Sequence, residues 1–457
     1  MQPVATRHYR SPRDLMRLIA SGVLDPETVT SGEESDLLTA FRDKELKLVE
    51  KMEAAIGRGA IRAARRTSGQ LRRSMAGRYL ALWRSKPRHL ADRVADLPEK
   101  RDRNRGERLR QIISSLEVVG NLSEPATATV YIKKKDRNRA YRYLDAPKRP
   151  LFVKSDGSRR VIFKFDWIDK ARQRLIARSL TPFANYHSSQ FLLRWRNGKR
   201  GRSAVCEYLR RELPTLTADH VFVQVDIRDF FGSISATWIE GHFRLPETMI
   251  RRQIHSGEMH VLMDRKARAY LPGGENNERV RRVLPQGSAL SSLIAEMAMA
   301  EVLGGLADCL SDTRVVTYSD NLGIFVPDAQ AAVIMDHLRR AFASSGVGPF
   351  ELSMSDPVPI TKEFTFLGHH WQLREGQLHT FVPAPIAEAR AIVLLGQMLT
   401  SSTRASLNLV RARILAQANE WKFWPGANNW RAELLERWVD ACISLGASGK
   451  AGPVLSG

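Results

Sequence analysis

Two carboxylates in apolar surroundings are the residues best placed to do chemistry. Asp226 ends the run VFVQV, and Asp320 sits in YSDN between Val315-Val316 and Ile324-Phe325-Val326. A carboxylate beside a buried apolar strand is costly unless it is paired, hydrogen-bonded or metal-bound. Two such groups brought together repel and raise one another's pKa. A divalent cation resolves that conflict, and magnesium is typically held by one or two carboxylates plus substrate phosphates. Two such ions about 3.5–4 Å apart stabilise the attacking and leaving oxygens of a phosphoryl transfer. The plainer reading of YSDN is an ordinary β-hairpin, because Asp and Asn tolerate tight turns. The hairpin alone leaves both readings open.

Charge narrows the field. Lys plus Arg number 71 against 49 Asp plus Glu, a net charge of +22 over 457 residues. Such an excess favours a polyanionic partner, nucleic acid or an anionic membrane. No apolar run is long enough to span a bilayer, and the opening MQPVATRHYRSPRDL is polar throughout. A cytoplasmic protein with a nucleic-acid partner and no membrane is therefore expected. The three cysteines, Cys206, Cys309 and Cys442, lie too far apart for a disulfide framework or zinc site. They read as core thiols of a reducing compartment.

The elements that position the carboxylates follow from periodicity. Residues 1–125 read as helical: Leu38, Phe41, Leu48, Met52 and Ile56 recur at helical spacing, with Thr30, Ser31 and Ser35 as cap candidates. The segment IRAARRTSGQLRRSMAGRYLALWRSKPRHL is densely basic and carries Tyr79 and Trp83. It is either a solvated helix face or a phosphate-tracking surface with aromatic platforms. LFVKSDGSRRVIFKF reads strand, turn, strand, with Asp156-Gly157 at the turn, followed by a helix through WIDKARQRLIARSLTPF. VFVQVD is a short buried strand, ALSSLIAEMAMAEVLGGL an apolar helix, and EFTFLGHHWQL a strand pair. Residues 385–446 are helical again, and the tail GASGKAGPVLSG reads as loose.

Six stretches, in order, carry a family resemblance. VFVQVDIRDFFGSIS, LPQGSALSSLIAE, YSDN and FTFLG are similar to the palm motifs of reverse transcriptases. Upstream, FVKSDGSRRVI and NGKRGRSAV resemble fingers motifs of the bacterial branch that includes group II intron and retron enzymes. The resemblance covers roughly residues 150–445 and implies an α+β right-hand polymerase fold. Its expected parts are a helical basic extension (1–125), fingers and palm (126–384), a helical thumb (385–446) and a flexible tail (447–457).

The resemblance also implies roles. Asp226 and Asp320 would bind the metal, magnesium with manganese as the alternative, and the Ile227 carbonyl would add an oxygen ligand. Phe231 matches the aromatic gate that excludes a 2′-hydroxyl, with Phe230 a core neighbour. Gln286 would hydrogen-bond the incoming nucleotide, and Gly287 would let backbone approach it. Lys154 and Arg160 would grip the triphosphate, with Arg159 an equally placed competitor. Tyr318 joins the substrate-binding set. Phe366 to Gly368 resembles the primer-grip turn, and Arg404, Arg411 and Arg413 would line a duplex along the thumb.

Two positions depart from the family pattern. Most members carry Asp-Asp in the hairpin, whereas here the second position is Asn321, counted with the catalytic residues; it keeps an oxygen and loses a charge. Asp356 stands where the palm usually has a lysine, with Lys362 the nearest substitute. No Cys- or His-rich segment follows residue 446, and no thumb VTG triplet marks a retron enzyme. The remaining likeness is to the defence-associated or abortive-infection reverse transcriptases. The expected activity is an RNA-directed DNA polymerase, a nucleotidyltransferase adding dNTPs to a DNA primer in antiviral defence. Its expected partners are an RNA template, a companion noncoding RNA, and the DNA primer or product. A homo-oligomer or partner protein is left open. The alternatives are a weakened scaffold that binds RNA or a partner, and a template-independent DNA-synthesising enzyme.

Overall fold

The computed structural model describes residues 12–86, 98–134, 159–187, 202–306, 308–310, 313–367, 369–381, 393–399, 404–420 and 427–447. The architecture is α+β, with antiparallel sheets and many helices. It divides into two compact units of interleaved segments. One comprises Met1–Tyr131, Val161–His187 and Ala236–Met297; the second comprises Ile132–Arg160, Ser188–Ser235 and Ala298–Gly457.

The first unit is mainly helical, as the periodicity of its sequence predicts. Thr30 caps the helix Ser31–Gly57 through a capping box: its hydroxyl accepts from the Glu33 N–H, and the Glu33 carboxylate accepts from the Thr30 N–H. Leu38, Phe41, Met52 and Ile56 are buried along one face of that helix. The helices Ile61–Arg73, Met75–Ser85 and Trp167–His187 follow or pack beside it. A small sheet holds strands β1 (Thr127–Lys134), β2 (Arg159–Phe165) and β4 (His260–Met263) in the order β2-β1-β4, with β1 and β4 parallel. The buried Asp169–Arg172 pair fastens β1 to the helix Trp167–His187. Asp169 accepts from the Thr127 N–H at 2.9 Å and from Arg172 at 3.0 Å, and Arg172 donates on to the Val118 carbonyl. Burial still pushes the Asp169 carboxyl above its ordinary value, against the pull of the Thr127 N–H and Arg172.

In the second unit, β3 (His220–Ile227) lies inside the sheet β5-β6-β3-β7 and also pairs with β8 (Val358–Pro359). β5 is Arg314–Tyr318, β6 Asn321–Pro327 and β7 Leu352–Met354. A second sheet, β11-β10-β9, is formed by Phe364–Phe366 (β9), His369–Arg374 (β10) and Gln377–Phe381 (β11). Both sheets contribute to one aromatic core. The Phe222 ring on β3 lies 4.4 Å from Phe364, 5.2 Å from Phe325 and 5.6 Å from Phe366. Trp371 is fully buried there and donates from Nε1 to the Phe366 carbonyl. Gly323 is required in β6 because a Cβ there would meet the Phe366 and Phe222 rings at 3.0–3.2 Å. The helices at 393–399, Arg404–Glu420 and Ala427–Ala447 enclose a separate core around Leu394, Leu407, Val410, Ile414 and Leu434.

Several sequence expectations meet these elements. β3, the β5–β6 hairpin, the β9–β10 pair and the apolar helix Ser291–Gly304 are where the patterns put them. The fingers turn Asp156-Gly157, Lys154, Gly368, NGKRG and the tail from 448 lie outside the described residues.

One expectation is corrected. Tyr79 is no aromatic platform: it is fully buried, 5.0 Å from the Phe41 ring, and burial pushes its phenol well up. Trp83 is half-buried, with the guanidinium carbons of Arg42 and Arg108 at 5.5 and 5.3 Å from its ring. The apolar spacing of the helix turns both rings toward neighbouring helices, a preference that a basic composition does not reveal.

Candidate active site

The site is built on the register of β3 with β6. The seven pairs of this antiparallel ladder run from His220↔Pro327 to Asp226↔Asn321. Apolar β-branched and aromatic residues fill both strands, so Val221, Phe222, Val223, Val225, Leu322, Ile324, Phe325 and Val326 are all buried. That burial fixes the register, since a one-residue slip would turn every side chain over. Asp226 and Asn321, both half-buried, therefore stand side by side where the apolar ladder ends.

β5 and β6 are joined by a two-residue turn, because Tyr318 pairs with Asn321. Ser319 takes φ 59° while Asp320 keeps a negative φ, the pattern of a type II′ hairpin. The turn is tied to β3 through its backbone: the Ile227 N–H donates to the Asp320 carbonyl at 3.2 Å. Asn321 Nδ2 donates to Asp320 Oδ1 at 3.0 Å. The hairpin is thus a genuine tight turn, and its Asp sits at the same sheet end as Asp226.

The other side of Asp226 holds a residue that sequence reasoning missed. Ser353 on β7 is in register with Asp226, and Leu352 with Ile227. Beyond them the Arg228 N–H donates to the Glu351 carbonyl, and the two side chains form an ion pair. β7 is only three residues long, so neither its existence nor its pairing has a readable periodic signal.

After β3 the chain turns sharply at Asp229, φ 42°, into the single helical turn Phe230–Ser233. Phe230 is buried, 5.6 Å from Phe350 and 5.8 Å from Phe231, while Phe231 is half-buried. The two adjacent rings therefore divide as core and partly open surface. Tyr318 is 39% exposed beside the hairpin turn. Asp356 and Lys362 are both exposed.

Of the other sequence-predicted residues, Gln286 and Gly287 belong to the first unit, and Arg159 and Arg160 to the second. The Phe163 N–H on β2 donates to the Gln286 carbonyl at 2.9 Å. Gly287 has φ 120°, and a Cβ there would strike the Phe163 carbonyl. Close approach of two backbones explains this glycine. Along β2, Val161, Phe163 and Phe165 are buried and Arg160 is exposed. The side chain of Arg159 lies outside the described residues.

The donors at the β3–β6 end are hard oxygens: two carboxylates and the Ile227 carbonyl. That set fits magnesium or manganese better than a soft metal. Among the described residues no group of three or more His, Cys, Asp or Glu comes together. A pair of carboxylates is the complement that leaves room for substrate phosphates as further ligands.

Residues 146–371 match the sequence profile of the family described as reverse transcriptase (RNA-dependent DNA polymerase). By that profile the stretch is similar to a reverse transcriptase domain. It makes up just under half of the chain and contains Asp226, Asp320, Phe231, Gln286 and the whole β3–β6 ladder. No curated protein matches the chain. Solved structures similar to it include one described as the RNA-dependent RNA polymerase from bacteriophage phi12. It is 12% identical with a TM-score of 0.37, over 75% of this chain and 59% of that one. Another is telomerase from Candida albicans with a fragment of telomeric RNA, 12% identical with a TM-score of 0.36, over 72% and 63%. The chain thus spans less than two thirds of either relative. Among the described residues no helix is long and apolar enough to cross a membrane.

Proposed function

We propose that the chain is an RNA-directed DNA polymerase that adds dNTPs to a DNA primer, works with magnesium or manganese, and serves bacterial antiphage defence. The carrying observation is the β3–β6 register, in which the Asp226 position lies beside Asn321 while the Ile227 N–H holds the Asp320 carbonyl. Asp226, Asp320 and the Ile227 carbonyl are the proposed metal ligands, and the bound cation would stabilise charge on the transferring phosphate. Phe231 is the proposed gate against a 2′-hydroxyl, and Gln286 and Gly287, latched to β2, are proposed nucleotide-binding residues. Arg160, with Lys154 and Arg159, takes the triphosphate through charge-assisted hydrogen bonds. The proposed fingers and palm run through 126–384 and the thumb through 385–446. The net charge of +22 supports a nucleic-acid partner.

The Asn321 amide favours a second reading. It occupies one oxygen of Asp320 and leaves the site a charge short of an Asp-Asp hairpin. A domain weakened in this way would serve as an RNA-binding scaffold. Incorporation of labelled dNTPs on a primed RNA by the purified chain with magnesium separates the two. Activity that is lost in both Asp226→Ala and Asp320→Ala, by at least about 100-fold, fits the polymerase. Activity that survives both substitutions discards the site.

A further inference from the structure

The basic N-terminal helices contain a surface that the palm chemistry does not use. No Asp or Glu occurs between Glu53 and Asp92, while arginines crowd the same stretch. The structure sorts those arginines. Arg84 pairs with Glu45, and Arg78 with Glu117. Arg72 is turned inward and donates to the hydroxyls of Ser68 and Ser179. Lys86 lies 4.2 Å over the Trp167 ring. On the helix Ile61–Arg73 what remains is Arg62, Arg65, Arg66 and Arg73, all exposed, with Arg58 exposed just before it and Arg88 outside the described residues. Among the described residues none of these four has an acidic partner.

At 100° per residue the four arginines fall within a stripe about 100° wide, and they span about 16 Å of helix. Gly69 lies inside that stripe, and Arg73 folds back over it: a Cβ at Gly69 would sit 3.3 Å from the Arg73 guanidinium. The Arg73 guanidinium is thus drawn back along the stripe toward the other three positions. Beside them, burial and then the charge of Arg73 pull Arg72 down to about 10. Neighbouring surfaces are different in kind. The exposed positions of the helix Ser31–Gly57 mix Arg42, Lys44 and Lys47 with Asp43, Glu50 and Glu53, which is how a merely solvated face looks.

The helix is held rigidly from behind. Ala64 and Leu71 are buried, and the Ser68 hydroxyl donates to the Ser179 carbonyl at 3.0 Å. Ile61 and Phe183 pack on one small core with Ala55, Ile56 and Ala64. Tyr186 follows Phe183 by three residues, hence on the same side of its helix. It is 58% exposed. An exposed aromatic side chain thus stands one helical turn beyond Phe183, which shares its core with Ile61 at the start of the arginine helix.

We propose that Arg62, Arg65, Arg66, Arg73 and Tyr186 form a docking surface for single-stranded RNA, the arginines on successive phosphates and the tyrosine under an unstacked base. Guanidinium forks suit phosphate, and a ring beside a cationic track is the usual means of holding single strands without reading sequence. The choice of RNA rests on the RNA-template reading above.

The test is equilibrium binding of a fluorescent 20-nucleotide oligouridine to the full chain, with EDTA and without dNTPs, across a range of salt. Arg62→Gln/Arg65→Gln/Arg66→Gln/Arg73→Gln should lower the slope of log affinity against log salt by about 3, since each single-strand phosphate contact contributes about 0.7. The corresponding four-lysine variant should keep the slope. Tyr186→Ala should weaken binding about tenfold at every salt concentration and leave the slope alone. Thermal melting checks that each variant is folded. A glutamine variant that is folded and binds with the wild-type slope overturns the proposal. So does binding to phosphatidylserine vesicles with no uptake of the RNA. The polymerase reading fails separately, by absence of dNTP incorporation while these slopes behave as described.

Discussion

Asp226 faces Asn321 across the β3–β6 ladder, and Asp320 lies one residue further out, in the turn. The amide thus occupies the ladder position beside one carboxylate and donates a hydrogen bond to the other. Asn321 holds one oxygen of Asp320, where a second aspartate would add a third charge.

Asn321→Asp should therefore change the metal requirement. Three formal charges attract a divalent cation more strongly than two. The magnesium concentration for half-maximal incorporation should fall several-fold, about tenfold at most. Without metal, the new carboxylate faces Asp226 directly and should cost up to about 1 kcal/mol of stability. A magnesium titration with melting in EDTA checks both parts. An unchanged or higher magnesium requirement would show that Asn321 does not set the charge of the site.

The two adjacent phenylalanines should separate by function. Phe230 is buried against Phe350, so Phe230→Ala should cost about 3–5 kcal/mol, seen in denaturant melts. Phe231 is partly open, so Phe231→Ala should cost much less stability and instead admit ribonucleotides. Incorporation ratios of dNTP to rNTP read this directly. Unchanged sugar selectivity in a folded Phe231→Ala protein would remove the gate from the site.

Gly287 should tolerate no side chain. Its φ of 120° is strained for any L-residue, and the Phe163 carbonyl fills the space a Cβ would need. Gly287→Ala should lose about 1–3 kcal/mol from the backbone conformation alone. It should also release the Gln286 carbonyl from the Phe163 N–H and raise the KM for dNTPs. A Gly287→Ala protein with wild-type melting and KM would show that the loop adapts without loss.

Much of this was legible in the sequence because apolar runs are long where strands are buried on both faces. VFVQV and LGIFV announce β3 and β6, and the short polar insert YSDN announces the hairpin. Thr30, one of three cap candidates, gives a helix start in the same local way. What stayed hidden depends on pairing between distant segments. Ser353 reaches Asp226 through a three-residue strand with no pattern of its own. Tyr79 and Trp83 looked like open platforms because composition shows charge and not which face of a helix turns inward. The need for glycine at 323 likewise depends on two rings from other segments that lie over it.

A buried histidine gives the last prediction, a pH dependence of stability. His255 is fully buried in the first unit. Its Nδ1 accepts from the Gly257 N–H at 3.0 Å, so the ring is neutral and Nε2 donates to Glu240 at 2.9 Å. Burial lowers the imidazole below 6.5, outweighing the raising effect of Glu240; Arg282 and Arg251 lower it further. Glu240 is itself held below its ordinary value: burial opposes its charge, but hydrogen bonds from Arg251 and His255 prevail. A histidine lowered on folding takes its proton more readily when unfolded. Its contribution to stability is thus complete above about pH 6.5 and is lost as pH falls toward the folded value, by at most about 1.4 kcal/mol per pH unit. Glu240 adds a second loss below about pH 4.5. Melting temperatures should be level from pH 7.5 to 6.5 and decline toward pH 5. In His255→Gln, which is less stable throughout, the decline between pH 6.5 and 5 should flatten. A variant whose decline in that window equals the wild type's would show that other groups carry it.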